Sequence, residues 1–495
     1  MAQFDARPSA TREVLGGSAR VFIAEAIALP AGLITGAVLA RRLGTEGYGV
    51  FTLTMAIVGW LEWTIASLFA RAAVKLVADA EDWRSAGAIV LRVYSMSGLL
   101  GFTALWLASG PLASLMHEPS LARHLRVLAF DIPLFMLTQA HQHVLVGTGA
   151  YARRAIVAAC RWTSRMIFVL ILVAAGISID GALVATVAAS VLELIVARRC
   201  VQPALRGGTA AETRTLWMYA LPLFAGAVSL RLFDRLDLFV LKALGASAST
   251  AGLYGAAQNL TVIPNLVALS VTTLLLSTLT RSLRAGDTAG ARALATNAMR
   301  GVLALFPFAG IAASIGTAVS TMIYGAEFAP SGSLLAVLIF AAVTTVVTLV
   351  ASAILTAGGR PTLAMMVVLP MAPLALVGHL LVIPRYGARG ATLVTTAVAA
   401  LGALLALTAV HRAWSVRPPV GTVLRCAVVT AVVSFAGVRW HTAGAMALVE
   451  AAVLSIGAVA LLVALGELTA AERQLAMGSI RRSQSPFTGS TRRLF

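Results

Sequence analysis

"RRLGTEGYG", Arg41 to Gly49, stands between two long apolar stretches, and "KALGASASTAGLYG", Lys242 to Gly255, stands in a similar setting later in the chain. Both leave an apolar segment through Leu-Gly and enter the next through Tyr-Gly. Two such knots in one chain raise the question of duplication. Internal repeats are the first thing to seek in a long apolar sequence.

The apolar stretches on either side set the class. Of the 495 residues 59% are hydrophobic and 12% charged, against about 25% charged in an ordinary soluble domain. Runs of roughly 20 apolar residues recur along nearly the whole chain, each long enough to cross about 30 Å of hydrocarbon. Candidate spans cover 19–40, 48–70, 86–109, 125–148, 155–175, 181–198, 215–241, 251–279, 295–321, 331–356, 362–383, 390–410, 420–438 and 445–466, which makes fourteen. The reading is an all-α polytopic membrane protein. The alternating segments of about 10 residues that an outer-membrane barrel needs are absent.

The net charge of +18 reports orientation. With the N-terminus inside, 28 of the 38 Lys and Arg fall on inner segments and adjoining helix ends. Eight fall outside: Arg41, Arg42, Arg123, Arg126, Lys242, Arg385, Arg389 and Arg439. This asymmetry is the positive-inside rule, and it removes nucleic acid from the expected partners. The excess of Arg over Lys has an equally good explanation in genome base composition. Cys160, Cys200 and Cys426 form no CxxC and read as small apolar residues, with neither disulfide nor metal implied. The first apolar stretch, full length behind a polar segment, is expected to act as an uncleaved signal anchor.

Further correspondences join the two knots. Met116–Phe130 has a loose counterpart in Met322–Phe340, "LVGTG" (Leu145–Gly149) matches "LTAGG" (Leu355–Gly359), and "GALVATVAAS" (Gly181–Ser190) matches "GATLVTTAVAA" (Gly390–Ala400). All four run in the same order at offsets of about 200 to 210. The repeat unit is six spans. Because six is even, the copies are parallel and related by an axis along the membrane normal. The expected organisation is a cytoplasmic segment 1–18, a first six-helix lobe 19–200 and a cytoplasmic linker 201–214. A second six-helix lobe 215–412, an extra helix pair 420–466 and a basic cytoplasmic tail 467–495 follow. Short outer loops argue against a membrane glycosyltransferase, polymerase or ligase, no Walker motif is present, and no enzyme activity is expected.

Ionisable groups inside spans are costly and mark functional candidates. "SLRLFDRLDLFVLK" carries Arg231, Asp234, Arg235 and Asp237 on one half of span 7. It reads either as two self-neutralising ion pairs or as lining of a transport path. The first lobe holds Glu25, Glu62 between Trp60 and Trp63, Asp131, Arg161, Arg165 and Glu193. A guanidinium in a dry site suits a phosphate, since its fork takes two oxygens at once. The competing readings are an Arg165–Glu62 structural pair and a snorkelling Arg161. His141 and His143 point about 200° apart on a helix and form no chelate. Gln258, Asn259 and Asn265 read as interhelical glue or as sugar-hydroxyl readers. His379 reads as interfacial.

"VLARRLGTEGYGVFTLTMAIV", "FDRLDLFVLKALGASASTAGLYGAAQNL" and "MIYGAEFAPSGSLLAVLIF" resemble, in order and spacing, segments of the Wzx-like polysaccharide and O-antigen flippases of the MOP exporter superfamily. The likeness covers roughly residues 15–410. It implies a MOP/MATE-like pair of six-helix bundles around a cationic cavity. Such a protein translocates an undecaprenyl-pyrophosphate-linked oligosaccharide across the bacterial inner membrane by alternating access, with both termini cytoplasmic. In that picture Arg165, Arg161, Arg231 and Arg235 are candidates to hold the pyrophosphate. Glu62, Asp131, Asp234 and Asp237 are candidates to couple to an H+ or Na+ gradient or to neutralise the arginines. Membrane lipids, a polysaccharide polymerase and glycosyltransferases are the expected partners, and no cofactor is expected. The two extra C-terminal helices resemble the fourteen-helix lipid II flippases. A lipid II flippase or a MATE-like drug/cation antiporter on the same fold is the alternative.

Overall fold

Two glycines bend the longest helices of the molecule. The computed structural model describes residues 24–467 apart from 177, 205–206, 208–209, 417–419, 441 and 443. The expected segment 1–18, nearly all of the tail and part of the linker therefore lie outside the described residues. Gly44 adopts φ +66° inside α1 (Ala28–Asp79), and Gly387 adopts φ +55° inside α15 (Met371–Trp414). Left-handed backbone is where glycine avoids the Cβ penalty. Each kink divides a run of 40 or more residues into two crossings, joined without a loop.

Between them run α2 (Trp83–Leu115), α3 (Ser120–Ala129), α4 (Asp131–Gly147), α5 (Tyr151–Ala174), α6 (Ile179–Cys200) and α7 (Ala210–Ala243). The second repeat continues with α8 (Ala248–Leu260), α9 (Val262–Arg284), α10 (Thr288–Leu303), α11 (Phe306–Ser314), α12 (Gly316–Tyr324), α13 (Ser331–Ala357) and α14 (Pro361–Val368). After α15 come α16 (Val420–Trp440) and α17 (Met446–Ala464). All regular elements among the described residues are helices, and they supply the fourteen crossings in the expected order. Spans 8, 9 and 11 cross in pieces, broken at Thr261, at Ala304–Leu305 and Ile315, and at Leu369–Pro370. Span 4 also differs from its expected range. Residues 120–129 form the separate amphipathic α3, and the crossing begins at Asp131.

Within the first lobe α2 packs on α4 and α5 on α6; within the second, α13 packs on α15 and α9. The C-terminal pair docks on the second lobe through α11. Lipid removes most of the hydrophobic driving force between helices, so small residues that permit close approach govern such contacts. Gly310 lies against Ser434 and Thr430, and Gly437 against Ser314. Just beyond the C-terminal end of α17 Glu467 accepts from Thr422 Oγ1 (2.7 Å), Arg300 Nε (2.9 Å) and Arg425 Nη1 (3.1 Å). That carboxylate ties the end of α17 to α16 and α10.

The lobes meet most closely at one end of the bundle, where the two knots pack on one another. A Cβ added at Gly49 would overlap the Ala248 carbonyl, and one at Gly252 the Thr45 carbonyl. Ser249 Oγ donates to Thr45 Oγ1 (2.8 Å), and Asn259 Nδ2 donates to Tyr48 Oη (2.9 Å). The Tyr48 ring sits 5.9 Å from Tyr324 and 5.5 Å edge-on to Phe328, all three buried. Tyr48 is thus part of an inter-lobe aromatic plug.

Candidate transport site

In the first lobe α1, α4, α5 and α6 bring five charged side chains together. Glu62 and Asp131 contact each other, with Arg161 and Arg165 close by. Arg161 Nη1 reaches Glu193 Oε2 at 3.5 Å, and Gln142 Nε2 donates to Glu193 Oε1 at 3.2 Å. The guanidinium carbon of Arg161 also lies 4.6 Å from the centre of the Phe135 ring, a cation–π distance. Arg165 directs Nη2 to Met55 Sδ at 3.4 Å and forms no direct pair with Glu62. Glu62 Oε1, Asp131 Oδ1 and Arg161 Nε are buried without a hydrogen-bond partner. Buried polar atoms of this kind call for an explanation in a proton, a water or an ion.

The second lobe distributes its charges differently. Asp237 is buried and accepts from Tyr254 Oη (2.6 Å), Gln258 Nε2 (2.9 Å), Thr395 Oγ1 (3.1 Å) and the Leu238 N–H (2.8 Å). Arg235 Nη1 donates to the other end of the same Gln258 amide at 3.2 Å. Arg231 turns to the first lobe, its guanidinium 5.6 Å from the Trp63 ring centre. Asp234, one turn on from Arg231, is exposed. No ion pair joins these four residues among the described residues. Span 7 therefore splits its charges, with Asp237 turned into its own lobe and Arg231 toward the other.

Trp60 and Trp63 lie at the lobe boundary, Trp60 edge-on to Phe239 at 6.5 Å. His143 Nδ1 is 2.9 Å from Tyr94 Oη, and His141 Nδ1 is 2.7 Å from the Leu137 carbonyl. His141 is a packing histidine, while His143 also borders a cavity. Gln258 and Asn259 act as interhelical glue; the Asn265 side chain lies outside the described residues. His379, expected at the membrane interface, is instead buried at 1% exposure. The break and kink of span 11 turn it into the bundle.

Two cavities open at the end of the bundle away from the two knots. One, of about 510 Å³, is walled by Arg71 and Lys75 of α1, Gln139, Gln142 and His143 of α4, and Arg154 of α5. The other, of about 630 Å³, is walled by Arg71 with hydroxyl-rich faces of α9 and α13: Thr272, Ser277, Thr280, Ser352 and Thr356. Arg71 belongs to both, and among the described residues neither wall includes an acid. Arg154 has one acidic neighbour behind it, Glu25 at 3.4 Å. Arg71 is exposed and makes no hydrogen bond or ion pair among the described residues. A basic surface with an exposed Arg71, enclosed by hydroxyls and amides, fits an anion that also carries polar groups. In the sequence Arg71, Lys75 and Arg154 look like ordinary orientation signals. Their convergence depends on packing that spacing along the chain does not reveal.

Solved structures share this fold. A lipid II flippase MurJ in an inward closed conformation superposes with TM-score 0.75 at 13% identity, covering 90% of this chain and 98% of its own. A multidrug resistance MATE family transporter of the MOP superfamily, outward-facing, gives TM-score 0.58 at 14% identity, over 81% of this chain and 95% of its own. A MOP superfamily transporter from Pyrococcus furiosus gives 0.57 at 14%, over 81% and 95%. At these identities the likeness shows the fold. No curated protein sequence matches the chain. A sequence profile of the polysaccharide biosynthesis proteins matches residues 14–279, more than half of the length. The chain therefore belongs to the polysaccharide biosynthesis protein family and has the MurJ- and MATE-like fold of the MOP superfamily.

Proposed function

We propose that the protein translocates an undecaprenyl-pyrophosphate-linked oligosaccharide repeat unit from the inner to the outer leaflet of the bacterial inner membrane, by alternating access. One observation carries the reading: the inner cavities are lined by Arg71, Lys75 and Arg154, with no acid among their described lining residues. A diphosphate presented from the inner leaflet meets these bases first. The threonines and serines of the second cavity offer hydroxyl partners to a sugar chain. Arg231, Arg235, Arg165 and Arg161 then lie deeper, as the next cationic positions along the lobe boundary. Glu62 and Asp131 are the proposed place where an H+ or Na+ is exchanged, because their free oxygens have no partner of their own. A polymerase and glycosyltransferases would supply and consume the cargo.

The test is export of surface polysaccharide in a deletion strain complemented with variants. Arg71→Glu combined with Lys75→Glu is expected to abolish export and leave the lipid-linked unit on the inner leaflet, with the protein still present in the membrane. Undiminished export from that variant removes the reading. A drug or cation antiporter on this fold would tolerate the reversal and show altered drug sensitivity on deletion.

A further inference from the structure

We propose that Arg41 and Lys242 are a matched pair of latches that clamp the outer end shut and release when the lobes part. The two residues occupy the same place in the duplicated knots, two positions before Leu43-Gly44 and Leu244-Gly245. Each crosses the lobe boundary, in opposite directions. Arg41, of the first lobe, donates from Nε to the Ile323 carbonyl (3.0 Å) and from Nη2 to the Met322 carbonyl. Those carbonyls end α12 of the second lobe, where a helix carries its partial negative charge. Lys242, of the second lobe, donates from Nζ to Glu118 Oε2 (3.2 Å), in the first-lobe loop between α2 and α3. Both targets fall in the matched loops "MHEPS" and "MIYGAEFAPS", which precede the fourth span of each repeat.

The latches stand beside the glycine seam and the Tyr48 plug, so the outer end cannot separate with either intact. The Lys242 side chain is 3% exposed and that of Glu118 19% exposed. A pair so shielded from water and salt acts as a specific clasp. Glu118 is itself held by Ser120 Oγ (3.0 Å), and Lys242 also donates to the Ala246 carbonyl (3.2 Å). The latches further account for two bases on the outer side, against the positive-inside rule. The inference rests on the alternating-access reading but not on the identity of the cargo.

The experiment uses the full chain in lipid nanodiscs without cargo, with Cys160, Cys200 and Cys426 replaced and spin labels at Glu46→Cys and Leu244→Cys, one exposed site on each lobe. Double electron–electron resonance reads the separation of the outer ends. Lys242→Ala and Glu118→Ala are each expected to raise the ratio of open to closed outer ends about tenfold, and the double variant no more than either single one. The exchange Lys242→Glu with Glu118→Lys is expected to restore the wild-type distribution. Arg41→Ala is expected to open the outer end independently, adding to the effect of Lys242→Ala. Unchanged distributions in folded Lys242→Ala and Arg41→Ala proteins overturn the proposal. So does an exchange variant that folds and stays as open as the single variants. Export assays are not involved, so failure here leaves the flippase reading standing, and failure of that reading leaves the latches testable.

Discussion

The buried acids of the two lobes differ in how completely they are satisfied. Asp237, in the second lobe, receives three side-chain donors and a backbone N–H. Glu62 and Asp131, in the first, contact each other and keep one oxygen apiece without a donor. A fully paired buried carboxylate holds helices in register, because every partner would be orphaned by its loss. An incompletely paired one is a poor fastener and a good place for something to come and go. The comparison assigns structure to the second lobe's acid and exchange to the first lobe's acids.

The largest expected effect comes from breaking the satisfied site. Asp237→Ala would strand the Tyr254 hydroxyl, the Gln258 amide and the Thr395 hydroxyl in a dry interior, a loss of about 3–5 kcal/mol. Thermal melting of the detergent-solubilised protein should show it, with little folded protein recovered. Next come the two tyrosines of the duplicated knots. Tyr254→Phe removes a bond to a carboxylate and should cost about 1.5–3 kcal/mol, whereas Tyr48→Phe removes a neutral bond from Asn259 and should cost about 0.5–1.5 kcal/mol. Equal melting shifts for the two would contradict the assignment of roles. Glu62→Gln should change stability by less than about 1 kcal/mol while impairing export. A melting loss as large as that of Asp237→Ala would erase the contrast between the lobes.

Glu467 provides a small effect outside the membrane spans. Burial alone would raise its pKa, but hydrogen bonds from Thr422, Arg300 and Arg425 hold it below the usual carboxylate range. A depressed folded value means its contribution is complete above about 4.3, the ordinary glutamate value. That contribution is lost as pH falls through the folded value. Wild-type melting should therefore fall more than that of Glu467→Gln as the pH is taken below about 4.3, by about 1 kcal/mol or less. Parallel pH curves for the two proteins would show that the carboxylate does not fasten the helix pair.

The fourteen crossings and the duplication are legible because length, hydropathy and repeat spacing are one-dimensional signals. The breaks are less so. A hydropathy window sums across Thr261 and Ile315 without registering that the hydrogen-bond ladder stops there, though Pro264 and Pro307 lie close to two of the breaks. Gly387 looks like any other glycine until its positive φ is seen. Arg161, Glu62 and Asp131 are legible as intramembrane charges, and packing alone decides that Arg161 pairs with Glu193 and that Arg165 meets Met55 and, among the described residues, pairs with no acid. Arg71, Lys75 and Arg154 carry the sign expected of any inner loop, so their shared cavity is invisible before folding.

The glycine seam bears on how the duplicated halves relate. Aligning Tyr48 with Tyr254 places Gly49 opposite Gly255 and Glu46 opposite Gly252. Yet Gly49 packs on Ala248 and Gly252 on Thr45, so the contact joins non-equivalent positions. Two copies of the first half would bring a glutamate side chain against a carbonyl where only hydrogen now fits. The halves are thus relatives that have ceased to be spare parts for each other. An ancestor that paired identical halves must have met along a different line.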